Sequence, residues 1–192
     1  QTNPCTVYGA SKLAGEAYVR SYFKTYGFNI TIVRPFNTYG PRSHHEGDAG
    51  ELIPKSIVRA LNGQSILVFG DGSQTRDFTY VEDTAKGLIE SAKCDNAIGL
   101  TLNMGSNFEI SINNVAEIII NMTGNKSKIE RFKNRPGDVL RLYADTTLFN
   151  EITQWTPSVS FKEGLLKTIE WFKAKPEGSS ALFEEEEGIN WK

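Results

Sequence analysis

Residues 13–33 read LAGEAYVRSYFKTYGFNITIV, and this stretch decides the fold. Its first part places apolar or small side chains at intervals of three and four, which is the spacing of an amphipathic helix. We predict a helix from Leu13 to Tyr26, ended by Gly27 because glycine readily adopts the left-handed conformation that closes many helices. The run Ile30–Val33 consists of β-branched residues, as is typical of a short buried strand in a parallel sheet.

The same alternation of helix and strand patterns continues along the chain. Apolar periodicity predicts further helices at 53–61, 85–92, 112–122 and 161–172, and further strands at 65–69, at 100–103 and near 129. Two of the helix starts, Thr79–Glu82 and Ser160–Glu163, carry the sequence pattern of a capping box. Alternation of this kind predicts an α/β fold with a largely parallel sheet.

The composition argues against several classes of function. Lys and Arg number 21 against 23 Asp and Glu, and this balance gives no support to a nucleic-acid partner. Cys5 and Cys94 lack the spacing of a zinc site or a disulfide framework, so a reducing cytoplasm is the expected location. His44 and His45 have no ligand cluster around them in the sequence, and we predict loop residues and no metal. No apolar run approaches the roughly 18 residues of a membrane span, which predicts no membrane association.

The two ends of the sequence lead to expectations of their own. The chain opens at Gln1, and its only methionines are Met104 and Met122, so we expect that a longer protein has lost its upstream part. From Pro176 onward the sequence is polar, with a run of glutamates at 184–187. We expect this end to be a solvated tail rather than a binding element.

The first chemical signal is the pair Tyr8 and Lys12. On a helix, positions four apart lie on the same face, one turn from each other. An ammonium held there favours the phenolate. Such a tyrosine can take the proton from a sugar hydroxyl while a hydride leaves the same carbon. Because chance often produces this spacing, the pair gains meaning only from motifs elsewhere.

Three further motifs follow in order: RPFNTYGPR at 34–42, GDGSQTRDFTYVED at 70–83 and RPGD at 135–138. Together with YGASK at 8–12, they closely resemble the extended short-chain dehydrogenase/reductase family acting on nucleotide sugars. The resemblance runs from Pro4 to about Lys173. No single motif is specific to that family, but the four in this order are.

The resemblance implies catalytic and cofactor-binding roles. Tyr8 would be the catalytic acid/base, and Lys12 would tune it and also bond the nicotinamide ribose of NAD or NADP. Pro35, at the end of a sheet strand, would pack against the nicotinamide amide. Arg34 and Arg42 are expected to brace the loop rather than to touch substrate.

Substrate contacts are implied in the same way. Asn37 would contact the substrate near its diphosphate, and Asp138 would accept from a ribose hydroxyl. Arg76 and Arg135 would hold the two phosphates, a task that suits a planar guanidinium. The alternatives are a surface ion pair between Arg76 and Asp77, a solvated turn at Arg135, and a turn or cap at Asp138.

Apolar residues and the helix after Tyr8 complete the family pattern. Leu52–Pro54 and Val68 would enclose the nucleobase, and Asp83 is expected to be a structural acid at a helix start. Aromatic residues along the helix after Tyr8 are expected to pack it, namely Tyr18, Tyr22 and Tyr26. In this family such a helix often forms the dimer interface, which predicts a homodimer.

The implied architecture is the carboxyl-terminal part of a Rossmann-type doubly wound sheet with a small α/β substrate-binding lobe. We expect 1–40 and about 76–104 in the dinucleotide-binding domain. Residues from about 41–75 and 105–175 would form the substrate lobe, followed by the polar tail at 176–192.

The glycine-rich dinucleotide fingerprint of the family and its catalytic Ser or Thr do not occur in the expected context. We therefore predict a fragment of an NAD(P)-dependent enzyme that oxidises the C4 hydroxyl of a nucleotide-diphosphate sugar, leading to 4-epimerisation or 4,6-dehydration. The fragment would keep an exposed sheet edge and weak nucleotide-sugar binding, without turnover. A uronate decarboxylase, a non-catalytic nucleotide-sugar-binding or scaffold protein, and an autonomous interaction module are the alternatives.

Overall fold

The computed structural model describes residues 3–4, 6–47, 50–124, 126–135 and 137–186. Within these ranges the helices are α1 Val7–Tyr26, α2 Leu52–Leu61, α3 Val81–Lys93, α4 Ile112–Thr123, α5 Thr147–Thr153, α6 Phe161–Lys173 and α7 Gly178–Glu184. The strands are β1 Ile32–Pro35, β2 Thr38–Tyr39, β3 Ile66–Phe69, β4 Thr75–Asp77, β5 Thr79–Tyr80, β6 Thr101–Met104, β7 Glu109–Ser111, β8 Ile129–Phe132 and β9 Arg141–Leu142.

The predicted α/β class is confirmed, but the described strands form small separate sheets. β1 pairs with β6, β2 with β5 and β3 with β8, all in parallel. β4 lies between β7, which is antiparallel to it, and β9, which is parallel. β1 is half-buried rather than buried, since within the described residues it has β6 on one side only.

α1 places the Tyr8–Lys12 pair on a regular helix. The helix starts at Val7, earlier than the predicted Leu13, because the Thr6 hydroxyl accepts from the backbone N–H of Gly9 at 3.0 Å. It ends as predicted at Gly27, whose φ of 68° lies in the left-handed region.

The tyrosines of α1 do not pack into the core of the chain, so the expectation that they pack this helix stays a prediction. Tyr18, Tyr22 and Tyr26 are 72%, 51% and 65% exposed. Tyr22, Tyr26 and Phe28 contact one another instead, with ring centroids 5.4 to 6.0 Å apart. These four side chains form an exposed surface that we call the α1 aromatic face.

The interior contains two hydrophobic clusters. The larger one joins α2, α4 and α6 with the strands beneath them, and its fully buried members include Ile57, Ile119, Leu165 and Phe172. The smaller one joins β6 to α5 and the chain that follows it, through Leu102, Met104, Phe149 and Trp155. α5 thus packs on the β1–β6 side of the molecule, and the division into two lobes at the expected boundaries stays a prediction.

The two predicted capping boxes have different outcomes. Ser160 caps α6, since its hydroxyl accepts from the backbone N–H of Glu163 at 3.3 Å. Thr79 does not cap α3, so that prediction is wrong: it lies in β5 opposite Thr38, and Tyr80 precedes the helix without a side-chain cap. Strand pairing has overridden the local capping signal.

The carboxyl-terminal end also differs from the expected solvated tail. Residues 178–184 form α7, which packs against α2 and α6. Leu182 is 4% exposed and belongs to the larger cluster. The sequence signal was only the apolar pair Leu182 and Phe183 within a polar stretch.

The structure bears on the predictions made from the two cysteines and from the lack of a long apolar run. Cys94 is a free thiol that donates to the carbonyl oxygen of Ile152 at 3.3 Å, whereas Cys5 lies outside the described residues. None of the helices described by the structure has the length and apolar character required to cross a membrane.

Candidate functional site

A cleft of about 570 Å³ brings together most of the predicted site residues. Those that line it are Tyr8, Pro35, Asn37, Arg76, Arg135 and Asp138. They come from α1, the end of β1, the connection to β2, β4, and the segment between β8 and β9. Residues far apart in the sequence therefore face one space.

Tyr8 and Lys12 lie one helical turn apart, as their spacing predicts. The Lys12 ammonium lies over the Tyr8 ring, 5.1 Å from its centroid, and so contacts the face of the ring. Tyr8 is 72% exposed and reaches the cleft, which Lys12 does not line. A phenol with a cation beside it is thus present at the cleft.

An ion pair holds α1 against β1. The Glu16 carboxylate, with a 12% exposed side chain, accepts from Arg34 Nε at 2.6 Å and Nη2 at 2.7 Å. Arg20 donates both to Glu16 at 2.8 Å and to Thr101 on β6 at 3.0 Å. The hydrogen bonds from Arg34 hold the pKa of Glu16 below its ordinary value, and the same contact raises the pKa of Arg34.

Arg34 therefore acts as a brace, but for α1 rather than for the loop that follows it. Since Arg34 immediately precedes Pro35, the ion pair fixes α1 next to the strand end that faces the cleft. Arg42, the other arginine expected to brace the loop, has a left-handed φ of 68° and lies outside the cleft lining.

Arg76 is fixed in the cleft by Asp138. Its Nη2 lies 2.5 Å from Asp138 Oδ1, and its Nη1 donates to the carbonyl oxygen of Val139 at 2.7 Å. The surface ion pair considered between Arg76 and Asp77 is not formed. Asp77 is fully buried and accepts from the backbone N–H and hydroxyl of Ser106 at 2.7 and 2.6 Å.

Gln74 is a cleft residue that the sequence reasoning missed. It is 9% exposed, and its amide donates to the carbonyl oxygen of Phe69 at 2.8 Å and to Asp138 Oδ2 at 3.4 Å. One oxygen of Asp138 thus faces Arg76 and the other faces Gln74. The residue lies within the recognised GDGSQTRDF motif, but an uncharged amide gave no reason to single it out.

Arg135 lies on an aromatic ring rather than in a solvated turn. Its guanidinium carbon is 4.7 Å from the centroid of the Phe69 ring. The pKa of Arg135 lies below its ordinary value, mainly because the side chain is buried. The Asp138 charge opposes this effect, and the Arg76 charge adds to it. Two guanidinium groups thus share the cleft with the Asp138 carboxylate, an arrangement that suits a ligand with more than one negative charge.

Asn37 presents a buried acceptor. Its backbone carbonyl accepts from the N–H of Thr79 at 2.9 Å, which ties the loop to β5. Its side-chain oxygen Oδ1 is buried and has no hydrogen-bond partner within the described residues. A buried polar atom without a partner is costly, so a ligand that donates a hydrogen bond would find a matching group here.

One wall of the cleft is apolar, as predicted, but the residues that form it are not all those that were predicted. It is formed by Leu52, Ile53, Leu67, Phe69, Ile112 and Leu142. Pro54 and Val68, which were expected beside the nucleobase, are not among the cleft residues. Val68 is fully buried, because successive strand residues point to opposite faces and its neighbours on β3 face the cleft. Glu51 also lines this wall, and burial raises its pKa.

Asp83 is structural, as predicted. It is 1% exposed and accepts from the backbone N–H groups of Ser158 and Val159 at 2.9 and 2.7 Å. The carboxylate therefore holds the segment before α6 against the start of α3.

His45 lies in a loop, as predicted, but its side chain is buried. It is 4% exposed, and its ring lies edge-on to Phe172 with centroids 5.6 Å apart. Ligand atoms of His45, Glu46 and Glu185 lie within 4.8 Å of one another. The sequence gave no sign of this group because Glu185 is 140 positions away along the chain.

Comparison with known proteins identifies the family. Residues 1–105 match the NAD dependent epimerase/dehydratase family. The chain belongs to this family. It is 34% identical over 173 residues to the UDP-glucose 4-epimerase of Mycolicibacterium smegmatis, covering 90% of this chain and 55% of that protein. It is also 40% identical over 160 residues to the UDP-N-acetyl-alpha-D-glucosaminuronate decarboxylase of Bacillus cytotoxicus, covering 77% and 47%.

A solved structure supports the same assignment. An epimerase from Methanothermobacter thermautotrophicus superposes with a TM-score of 0.86 at 34% identity, covering 90% of this chain and 52% of that one. The Rossmann-type fold class is thereby confirmed. The chain spans about half the length of the curated relatives it matches.

We predict that Glu16→Gln lowers the free energy of unfolding by about 1 kcal/mol near neutral pH. The change removes charge-assisted hydrogen bonds to Arg34, whose partial exposure limits the loss. Because the folded-state pKa of Glu16 lies below 4.5, its contribution is complete above that pH and is lost as pH falls through the folded pKa. Urea unfolding of both proteins from neutral to acidic pH should show stabilities that converge at the acidic end.

The control is Glu90→Gln, which removes an exposed carboxylate paired with Lys93. It should change stability by less than about 0.5 kcal/mol. A difference between wild type and Glu16→Gln that stays constant at all pH values would contradict the ion-pair explanation.

Proposed function

We propose that this chain is the substrate-binding half of an NAD-dependent cytoplasmic enzyme. The enzyme oxidises the C4 hydroxyl of a nucleotide-diphosphate sugar, leading to 4-epimerisation or 4,6-dehydration. The observation that carries the proposal is the convergence of Tyr8, Asn37, Arg76, Arg135 and Asp138 on one cleft. A phenol, an amide and two guanidinium groups facing one space suit a neutral sugar joined to two phosphates.

The phosphate-binding part is organised before the ligand arrives. Arg76 is held by Asp138 and by the Val139 carbonyl, and Arg135 is held over the Phe69 ring. Side chains fixed in this way lose little conformational entropy when a ligand binds. We propose that each guanidinium donates to one phosphate, with Asp138 also able to accept from a ribose hydroxyl.

The proton-transfer part consists of Tyr8 and Lys12. The phenolic oxygen of Tyr8 is proposed to accept the proton of the C4 hydroxyl, with the Lys12 ammonium lying over the same ring. NAD, when bound, supplies the hydride acceptor for C4. After the transfer, the tyrosine hydroxyl can return the proton to the sugar oxygen.

The residues present fit one end of NAD. Tyr8 and Pro35 line the same cleft, and Lys12 lies beside Tyr8, which supports the proposal that these residues would contact the nicotinamide end. The glycine-rich turn that cradles the cofactor pyrophosphate in this family does not occur in this sequence. We therefore propose weak or no cofactor binding, and no turnover, for the chain alone.

Two other functions use the same cleft differently. A uronate decarboxylase would share the C4 oxidation, and one relative carries a decarboxylase name. A non-catalytic nucleotide-sugar-binding or scaffold protein would keep the arginines without needing the phenol. The Tyr8–Lys12 pair at the cleft supports an enzyme over a scaffold.

The first prediction concerns nucleotide binding by the chain itself. It should bind at least one of UDP, dTDP and GDP, and Arg135→Met should weaken that binding by about tenfold to a hundredfold. The reason is the loss of charge-assisted hydrogen bonds to phosphate, while methionine keeps a contact with Phe69. Isothermal titration calorimetry measures the change.

The matched control is Arg131→Met. Arg131 is an exposed arginine that donates to the carbonyl oxygen of Asp71 at 2.6 Å and does not line the cleft. Its replacement should leave nucleotide affinity within about twofold. A well-folded wild-type chain that binds none of the three nucleotides would refute the proposal and favour an interaction module.

The second prediction tests the chemistry in a protein that joins this chain to a cofactor-binding amino-terminal half. Tyr8→Phe should reduce kcat by about 10²–10⁴, because it removes the proton acceptor. Nucleotide affinity should not change. Tyr18→Phe, on the same helix but outside the cleft, should retain full turnover. Product analysis by NMR distinguishes epimerisation, dehydration and decarboxylation, and undiminished turnover in Tyr8→Phe would remove this tyrosine from the mechanism.

We also propose a homodimer formed through the α1 aromatic face. α1 has no buried residue, and the face contributes side chains that are 51% to 72% exposed. Contiguous exposed apolar surface of this kind commonly marks a protein–protein interface. Aromatic side chains are also enriched at such interfaces.

Sedimentation velocity tests this dimer. Tyr22→Arg should convert a dimeric wild-type chain to a monomer, because it places two charges in the paired surface. Leu148→Arg, which alters a 47% exposed apolar residue on α5, should leave the dimer intact. Identical sedimentation of wild type and Tyr22→Arg would contradict the proposed interface.

A further inference from the structure

Residues 178–186 near the carboxyl terminus, which we call the strap, are attached to α2. Leu182 is buried in the larger cluster, and the Asn62 amide donates to the carbonyl oxygen of Ser179 at 2.7 Å. Arg59 lies over the Phe183 ring, 5.5 Å from its centroid. The cleft lining includes none of Arg59, Asn62, Ser179 and Phe183, so the proposed function leaves these contacts of the strap unexplained.

The strap ends in a buried carboxylate. The Glu186 side chain is 1% exposed, with Oε2 lying 2.6 Å from Arg59 Nη1 and Oε1 lying 3.4 Å from Lys55 Nζ. The two cationic side chains are only 14% and 10% exposed. Removing one partner from a buried ion pair leaves the remaining charge poorly compensated, so this contact constrains the position of α2 strongly.

The strap also holds the loop that leads into α2. The backbone N–H of Gly47 donates to the carbonyl oxygen of Glu185 at 2.8 Å, and Gly47 forms a parallel bridge with Glu186. His45 Nε2 lies 3.3 Å from a carboxylate oxygen of Glu185. The strap thus contacts α2 itself through Lys55 and Arg59, and it contacts the loop before α2 through His45 and Gly47.

The first turn of α2 lines the cleft, so contacts that fix this helix also fix part of the cleft wall. Residues 51–53 line the apolar wall, while Lys55 and Arg59 follow on the same short helix. A helix moves largely as a unit, because each turn is bonded to the next. We propose that Glu186 is a positioning residue for the substrate, because through Lys55 and Arg59 it sets the cleft wall expected to take the nucleobase. This inference rests on the proposed nucleotide binding.

The test uses the whole chain and four variants: Glu186→Gln, Arg59→Gln, the double variant, and the control Glu184→Gln, which removes an exposed carboxylate of α7. The Kd for UDP is measured by calorimetry, or for dTDP or GDP if the wild type binds one of those instead. Hydrogen exchange is measured in α2 and in α6. We expect Glu186→Gln to raise Kd roughly tenfold and the control to leave it unchanged.

Two further results are expected if Glu186 acts through Arg59. The effects of the two changes should be far from additive, since both break the contact between Glu186 and Arg59 and the double variant loses in addition only the longer contact to Lys55. Amide exchange should accelerate in α2 but not in α6, which a general loss of stability would affect equally. The inference is overturned by an unchanged Kd in Glu186→Gln, by additive effects, or by equal acceleration in both helices.

If the proposed function is wrong, these measurements give a different result. In that case the wild-type chain binds none of the three nucleotides. Exchange in α2 would still report whether Glu186 positions this helix, because that measurement needs no ligand.

Discussion

The Asp77 carboxylate is fully buried and joins three segments that are distant in the sequence. It accepts from the backbone and hydroxyl of Ser106, which follows β6, and from the backbone N–H of Ala144, which follows β9. Gly105 is required beside it, because an added Cβ would lie 2.5 Å from the carboxylate and 2.7 Å from the Ala144 side chain. Since strand residues alternate between faces, the inward direction of Asp77 turns its neighbour Arg76 toward the cleft.

The charges in the cleft follow from that arrangement. Asp138 holds Arg76 with one oxygen and faces the amide of Gln74 with the other, so a single acid organises the cation without neutralising both arginines. Arg135 lies over the Phe69 ring, with its guanidinium carbon 4.7 Å from the ring centroid. Two guanidinium groups held in place are a suitable receptor for a diphosphate, because the donors need little reorganisation.

The sequence predicted what local pattern and family motifs encode. Helical spacing and Gly27 located α1, and the motifs located the residues that line the cleft. The sequence did not predict features that depend on contacts between residues far apart in the chain. Thr79 has a capping pattern but pairs with Thr38 in a strand, and Val68 was placed in the cleft although strand alternation directs it inward. The strap is a further case, because its anchor is the pairing of Glu186 with cations more than a hundred residues earlier.

The proposed retention of nucleotide binding by the chain agrees with how differently the two halves of the site are supported. α2 is largely buried, and its cleft-lining turn is held from the core and from the strap. α1 has no buried residue and is attached to the rest of the chain mainly through the Glu16–Arg34 ion pair, with Phe23 close over Gly99. The apolar wall proposed for the nucleobase therefore rests on the better-packed part of the molecule. Tyr8 rests on a helix without a buried residue, where placing a proton acceptor against a sugar hydroxyl demands the tighter geometry.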